Sequence, residues 1–342
     1  MLICLVLVAK GCLDKPKKPI NLVKETVIAP LKSPAKISSS LPFLFSNDSQ
    51  ILLSWVEKIG DSLTVLKYSE MEQFAWQPSK EIIKNTDWFV NWADFPMVAM
   101  NEGNFWSHVL KKSSAGTYSY DVKMNVLPKG DSIWKSDLPL HTDHTPTEHG
   151  FVTVLPYKDA FLVSWLDGRN TEENEVGERG AMTIRAATVS VEGKVSEETE
   201  LDVTTCDCCQ TTGAITANGP VLLYRDRSDE EIRDIAIVRQ VNGEWTTPKF
   251  IFNDGWKING CPVNGPKVDA IGNVIAVTWF TAVNSEPKVK VTFSVNGGED
   301  FTTPILISKS ETLGRVDIAL IDKENAIVSW LETVNKKTFL KA

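Results

Sequence analysis

The stretch TTCDCCQTTG, residues 204–213, holds three of the chain's six cysteines in four positions. Sulfurs this close can pair as disulfides, cage a soft metal ion as thiolates, or supply one activated thiolate for nucleophilic attack. Cys206, Cys208 and Cys209 form an even set with the distant Cys261. In an exported chain that set is expected to oxidise to a vicinal bridge and one long bridge. With His149 or His144 as a further ligand, the same sulfurs would instead hold Cu(I) or Zn(II). Both readings stand on the sequence; a catalytic thiol fits less well, because four clustered cysteines tend to quench one another.

HTDHTPTEHG (141–150) carries three of the four histidines, while LDGRNTEENEVGERG (166–180) and YRDRSDEEIRD (224–234) set arginines among acids. Alone, the first is a polar loop around Pro146 and the others are solvated charged loops. Arg225 departs from that pattern. It ends an apolar run and is expected to point toward a shared site, where a guanidinium grips carboxylate or phosphate with two parallel bonds.

A repeat positions these residues. The phrases ILLSWVEK, NFWSHVLKK, FLVSWLDGRN, VLLYRDRSDEE, IAVTWFTAVN and AIVSWLETVN align Trp55, His108, Trp165, Arg225, Trp279 and Trp330 in one column, at spacings of 53, 57, 60, 54 and 51 residues. Most have an apolar run before and another after, and WQPSKEII, WTTPKFIF and FTTPILIS mark a fourth short strand. Helical periodicity is almost absent. Four short strands repeated six times predict an all-β, six-bladed β-propeller of four-stranded antiparallel blades, in which each sheet buries its faces against its neighbours. The last unit stops soon after its second strand. The segment around Thr26–Ile37, within ETVIAPLKSPAKIS, is therefore expected to complete that blade and cover its edge.

FSVNGGEDF adds a more specific sign: Ser294, Asn296, Gly298 and Phe301 follow the Ser-x-Asp-x-Gly-x-x-Trp/Phe pattern, with Asn for Asp. YSEMEQFAW keeps only Ser69 and Trp76 of it. Through these turns and the repeat, most of the chain resembles the sialidase-like, Asp-box six-bladed propellers, here of a bacterial exported lipoprotein type. That resemblance implies a glycoside hydrolase with an arginine triad on the substrate carboxylate, a Tyr/Glu nucleophile pair and an Asp acid. Arg225 and Arg315 would take the later triad positions, Asp167 or Glu231 would serve as carboxylates, and Arg169 would stand beside them. The first arginine of the triad, in an Arg-Ile-Pro motif, has no counterpart, since no arginine precedes Arg169.

Propeller strands alternate in direction, so the loop leading into a blade and the loop joining its second and third strands open on one face. That rule gathers the histidine, cysteine and arginine stretches at a single pocket. Asp167, Arg169, Arg225, Glu231 and Arg315 are its candidate catalytic residues. His144, Glu148, His149, Asn170, Gln210, Arg227 and Asn264 are its candidate ligand contacts, and Cys206, Cys208, Cys209, Cys261 and His149 its candidate metal ligands. The expected function is binding of a metal ion or a small anionic or glycan ligand, with glycoside hydrolysis as the alternative.

A net charge of −8 and a pI near 5.2 exclude a nucleic-acid surface, which needs a basic field. Leu2–Ala9 is an apolar run too short to span a bilayer but suited to a secretion leader, and Ala9-Lys10-Gly11-Cys12 resembles a lipobox whose cysteine is lipidated. Residues 1–12 are then a leader, 13–25 a tether, and 26–342 a single propeller domain. The expected location is the periplasm or surface of a bacterium, with membrane attachment only through Cys12 and a monomeric state.

Overall fold

The computed structural model describes residues 30–342 apart from 48, 174, 175 and 310. Residues 34–342 form one compact unit. The leader and tether segments, 1–12 and 13–25, lie outside the described residues, as do 26–29 of the expected closing strand; residues 34–37 form no strand.

Unit 34–342 is an all-β propeller of six antiparallel sheets. In blade 1 the strands are Ser40–Ser46, Ile51–Ile59 and Leu63–Glu72, with Ala75–Trp76 and Lys80–Asn85 sharing the outer edge. Blade 2 comprises Val98–Asn101, Asn104–Lys112, Tyr120–Leu127 and Lys135–Pro139; blade 3, His149–Tyr157, Ala160–Asp167, Thr183–Ser190 and Val195–Asp202. Blade 4 has Thr212–Thr216, Gly219–Arg225 and Ile235–Val241 with outer pieces Glu244–Trp245 and Lys249–Phe250. Blade 5 has Lys267–Ile271, Val274–Thr281, Lys288–Ser294 and Ile305–Leu306, and blade 6, among the described residues, has three strands: Thr312–Leu320, Ala326–Val334 and Lys337–Lys341. The first strands of successive blades pack side by side from blade 1 to blade 6.

The core lies between the sheets because strand side chains alternate. In the second strand of blade 4, Leu222 and Tyr224 join the cluster shared with blade 3, whereas Val221 and Leu223 join the cluster shared with blade 5. Full burial of a leucine contributes about 1.5–3 kcal/mol, and both faces of each inner blade supply several such residues.

All six column residues fall in second strands, and Trp55, Trp165 and Trp279 are buried. Opposite them on the third strands stand Lys67, Arg185, Lys290 and, for Trp330, Lys341. Where tryptophan gives way to His108 or Arg225, the opposite residue becomes Met124 or Ile235. Tryptophan and base therefore change together. His108 is a buried core histidine whose pKa burial pushes down to about 3.

The turn beginning at Ser294 joins the third and fourth strands of blade 5. Ser294 Oγ donates to Asn296 Oδ1 and accepts from Gly298 N at 3.0 Å, and Asn296 Oδ1 accepts from Asp300 N. Gly298 sits at φ 82°, where a Cβ would meet Ile237 at 2.8 Å, so the turn excludes larger residues there.

Candidate functional site

The chemistry-bearing loops do share one end of the propeller. His149, opening blade 3, pairs with Asp167 at the end of the second strand. Gly168 N donates to Glu148 O at 2.8 Å, and Cys206 N to Arg225 O at 3.0 Å. Within this upper face the residues separate into clusters.

The sulfur cluster joins the loops leading into blades 4 and 5. Cys208 and Cys261 form a disulfide with Cα atoms 6.0 Å apart, the long bridge expected between blades. The expected vicinal bridge does not form, because Cys208 is engaged by Cys261: Cys206 and Cys209 are free thiols, each 1% exposed, with sulfurs 3.2 Å apart. Arg233 Nη1 donates to Cys206 Sγ at 3.2 Å. The bond with Cys209, opposed by burial and aided by the arginine charges, holds Cys206 down at about 6; burial pushes Cys209 up. Sulfurs of Cys206, Cys208 and Cys209 lie within 4.8 Å of one another, yet the bridge engages Cys208. A soft ion could thus use only Cys206 and Cys209, short of the four donors a structural zinc takes.

A second cluster surrounds His149. Its ring stacks on His141 with centroids 3.9 Å apart, and its Nε2 lies 3.3 Å from Asp143 and 3.7 Å from Asp167. Arg169 donates from Nε and Nη2 to both oxygens of Asp167, at 2.8 and 2.7 Å, and reaches Glu198 at 2.9 Å. Burial opposes the charged forms here, but the mutual bonds prevail. Asp143 and Asp167 are held below the usual carboxylate range, and His149 is raised. Asp143, His149 and Asp167 present three donor atoms within 4.8 Å, yet the guanidinium already supplies the cation. Asp167 and Arg169 satisfy each other; His144 and Asn170 are exposed on the loops.

Arg225 is turned into the core, which corrects the expectation that it faces the pocket. It is 1% exposed and donates to Asn264 O at 3.0 and 2.8 Å, to Phe280 O at 2.8 Å and to Arg233 O at 2.5 Å. Its plane lies 4.8 Å from the Trp256 ring. Carbonyls take four of its five N–H donors and the side chain is buried, so no carboxylate clamp remains. Arg227 donates to Glu231 at 2.7 Å and to Asp207 at 3.2 Å, and Arg233 donates to Glu231 at 2.8 Å. The bonds from the two guanidiniums hold Glu231 low, which makes it a poor proton acceptor.

Arg315 is disposed differently. Trp92, Gln210, Asn264, Lys267, Arg315 and Asp317 wall a cleft of about 260 Å³ on the upper face. Lys267 and Asp317 also line the axial channel, about 870 Å³. Gln210 braces the cleft by donating to Ala93 O at 2.5 Å, and Asn264 Oδ1 accepts from Arg315 N at 3.0 Å. The first strand of blade 6 bulges here: Gly314 has φ 73° and Arg315 φ 55°. A Cβ at Gly314 would stand 2.4 Å from Asn264 Oδ1, so glycine is required. The bulge carries the Arg315 guanidinium over Trp92, 4.5 Å from the ring, and Trp92 is 61% exposed. Arg315 donates to Val263 O and, among the described residues, forms no ion pair; burial pushes its pKa down, with only Cys209 opposing.

Beneath the loops, Tyr120 donates to Glu148 Oε1 at 2.5 Å and lies 3.4 Å from Asp94 Oδ2, while Asp94 Oδ1 accepts from Phe151 N. Burial raises Asp94 to about 8 and Glu148 to about 7. A protonated Asp94 can donate to the tyrosine oxygen, whose own proton serves Glu148. Trp92 and Asp94 escaped the sequence reading because NWADFP has no cysteine, histidine or arginine. Lys267 and Asp317 did leave a signal, as charges in the runs KVDAIG and RVDIALI that form first strands.

No protein-family model matches the chain, and no curated protein matches it by sequence. Solved structures share its fold. An α-L-arabinofuranosidase from Fusarium graminearum is 10% identical with a TM-score of 0.54, over 89% of this chain and 91% of that one. An α-L-arabinanase from Penicillium chrysogenum gives 10% and 0.53, over 89% and 92%. A polysaccharide lyase, an ulvan lyase bound to -[GlcA(1-4)Rha3S]-, gives 12% and 0.52, over 87% and 77%. A Hadza microbial sialidase is also similar, at 10% and 0.49; this chain spans 63% of its length.

Proposed function

We propose that the cleft at Trp92 and Arg315 binds a small anionic ligand, a carboxylate-bearing sugar, in an exported, lipid-anchored propeller of the bacterial envelope. The observation that carries this is Arg315 itself. The other arginines proposed for the site are bonded to acids or to carbonyls in the core, whereas Arg315 is an exposed cation at the mouth of the cleft with, among the described residues, no acid bonded to it. A carboxylate would supply the missing counter-charge in bidentate geometry. Lys267 adds a second positive charge, Asp317 an acceptor for sugar hydroxyls, and the exposed Trp92 ring an apolar face. The ulvan lyase of the same fold, bound to a saccharide containing GlcA, supports the anionic glycan class. The Cys208–Cys261 bridge supports an oxidising compartment, and the lipobox-like Cys12 supports anchoring.

Screening the purified protein by thermal shift with glucuronate, galacturonate, sialic acid and neutral glucose tests the reading. Uronates or sialic acid should raise the melting temperature and glucose should not. Equal shifts, or none, would reject it.

The second reading, glycoside hydrolysis, is favoured by the pair of raised carboxyls bridged by Tyr120, since such acids suit proton donation near neutral pH. Hydrolysis of aryl uronides or sialosides, abolished in Asp94→Asn, would establish it; no turnover on this panel would leave binding alone.

A further inference from the structure

The three conditions for thiol–disulfide exchange meet in one place on the upper face. Cys206 Sγ lies 3.9 Å from Cys208 Sγ, little beyond van der Waals contact with one half of the Cys208–Cys261 bridge. Arg233 donates to the same sulfur, so the attacking group is held as a thiolate by a fixed positive charge. A resolving thiol, Cys209, stands 3.2 Å behind it. Burial also grades the set: Cys206 and Cys209 are 1% exposed, Cys208 is half-buried and Cys261 is exposed.

We infer that the four cysteines form a thiol–disulfide exchange site, in which the buried Cys206/Cys209 pair rearranges the surface bridge and presents Cys261 to an external disulfide. Cys206 thiolate attacks Cys208 Sγ; the Cys206–Cys208 bond forms, the Cys208–Cys261 bond breaks, and Cys261 leaves as a thiolate. Cys209 then attacks Cys206, its proton passing to the departing Cys208 sulfur. The result is a Cys206–Cys209 bridge with Cys208 and Cys261 reduced. Two thiols and one disulfide exist before and after, so no oxidant or reductant is consumed. The Cys261 thiolate next attacks one sulfur of an outside disulfide, forming a mixed disulfide and releasing the other sulfur as a thiolate. The exchange site borders the Arg315 cleft through Cys209 and Gln210, but no step of the exchange requires the cleft's ligand.

Alkylation of the folded, non-reduced protein with iodoacetamide, followed by peptide mass mapping, tests this. In wild type, label is expected on Cys261 and Cys208, with Cys206 and Cys209 linked to each other. Cys206→Ser should suppress labelling of Cys261 by about tenfold or more, the attacking thiolate being gone. Cys209→Ser should stop after the first step, giving label on Cys261 alone and a Cys206–Cys208 link; this gain of a distinct product guards against a Cys206→Ser protein that merely misfolds. An intact Cys208–Cys261 bridge in wild type after prolonged labelling, or equal labelling of Cys261 in wild type and Cys206→Ser, would overturn the inference.

Discussion

Trp165 donates its indole N–H to Asp167, two residues further along the same strand, at 2.7 Å. Trp55 makes the same bond to Glu57 at 2.9 Å and Trp330 to Glu332 at 3.0 Å. Trp279 reaches Asp254 from the preceding loop instead. Residues i and i+2 share a strand face, so the recurring SWVE, SWLD and SWLE phrases encode an indole–carboxylate pair, backed by a base from the third strand. The acid belongs to the scaffold, and Asp167 occupies the scaffold position.

Loss of the Asp167 charge should therefore act on stability. Asp167→Asn leaves Arg169 and His149 short of their buried partner, and breaking such a pair costs about 3–5 kcal/mol. Chemical denaturation should show that loss, and Arg169→Met added to Asp167→Asn should lose less than the two single effects summed. Additive effects would mean that the pair is not coupled.

Arg225 is expected to matter in the same way. Arg225→Met keeps an apolar stem against Trp256 but leaves the carbonyls of Asn264, Phe280 and Arg233 without their donors. Each buried group left unsatisfied costs about 1–3 kcal/mol. The melting temperature should fall markedly. A fall no larger than that caused by Arg315→Met would contradict a role as a pin between blades.

The fold was legible because the tryptophan column repeats at blade spacing. The upper face was legible because strand direction alternates, and the approach of Cys261 to the 206–209 stretch followed from it; which cysteine it bridges did not. Arg225 was not: its acceptors lie 39 and 55 residues away, at Asn264 and Phe280, and only folding brings those carbonyls to it. The bulge at Gly314 was equally hidden. ETLGR marks a turn-forming glycine, but nothing local says that Arg315 will stack on Trp92, which arrives from blade 2.

Stability should fall between pH 5 and pH 8 through Asp94 and Glu148. Burial raises them to about 8 and about 7, so the folded protein keeps protons that the unfolded chain releases above about pH 4. Their contribution is full below that pH and is lost as pH rises through the folded values. The raised His149 contributes in the same direction, fully below about pH 6.5. Asp143 and Asp167, held low, contribute above about pH 4 and are lost on acidification. Asp94→Asn should flatten the fall in urea midpoint between pH 5 and pH 8. A variant that falls as steeply as wild type would show that Asp94 is ionised in the folded protein.

Arg315 as the counter-charge for an anionic sugar can be checked by calorimetric titration of a uronate into wild type and Arg315→Gln at two salt concentrations. A hydrogen bond to a charged group is worth about 1.5–3 kcal/mol, so the substitution should weaken binding by about tenfold or more and reduce its salt dependence, Lys267 remaining. Unchanged affinity in Arg315→Gln, with the propeller still folded by circular dichroism, would mean that Arg315 does not hold the sugar's carboxylate.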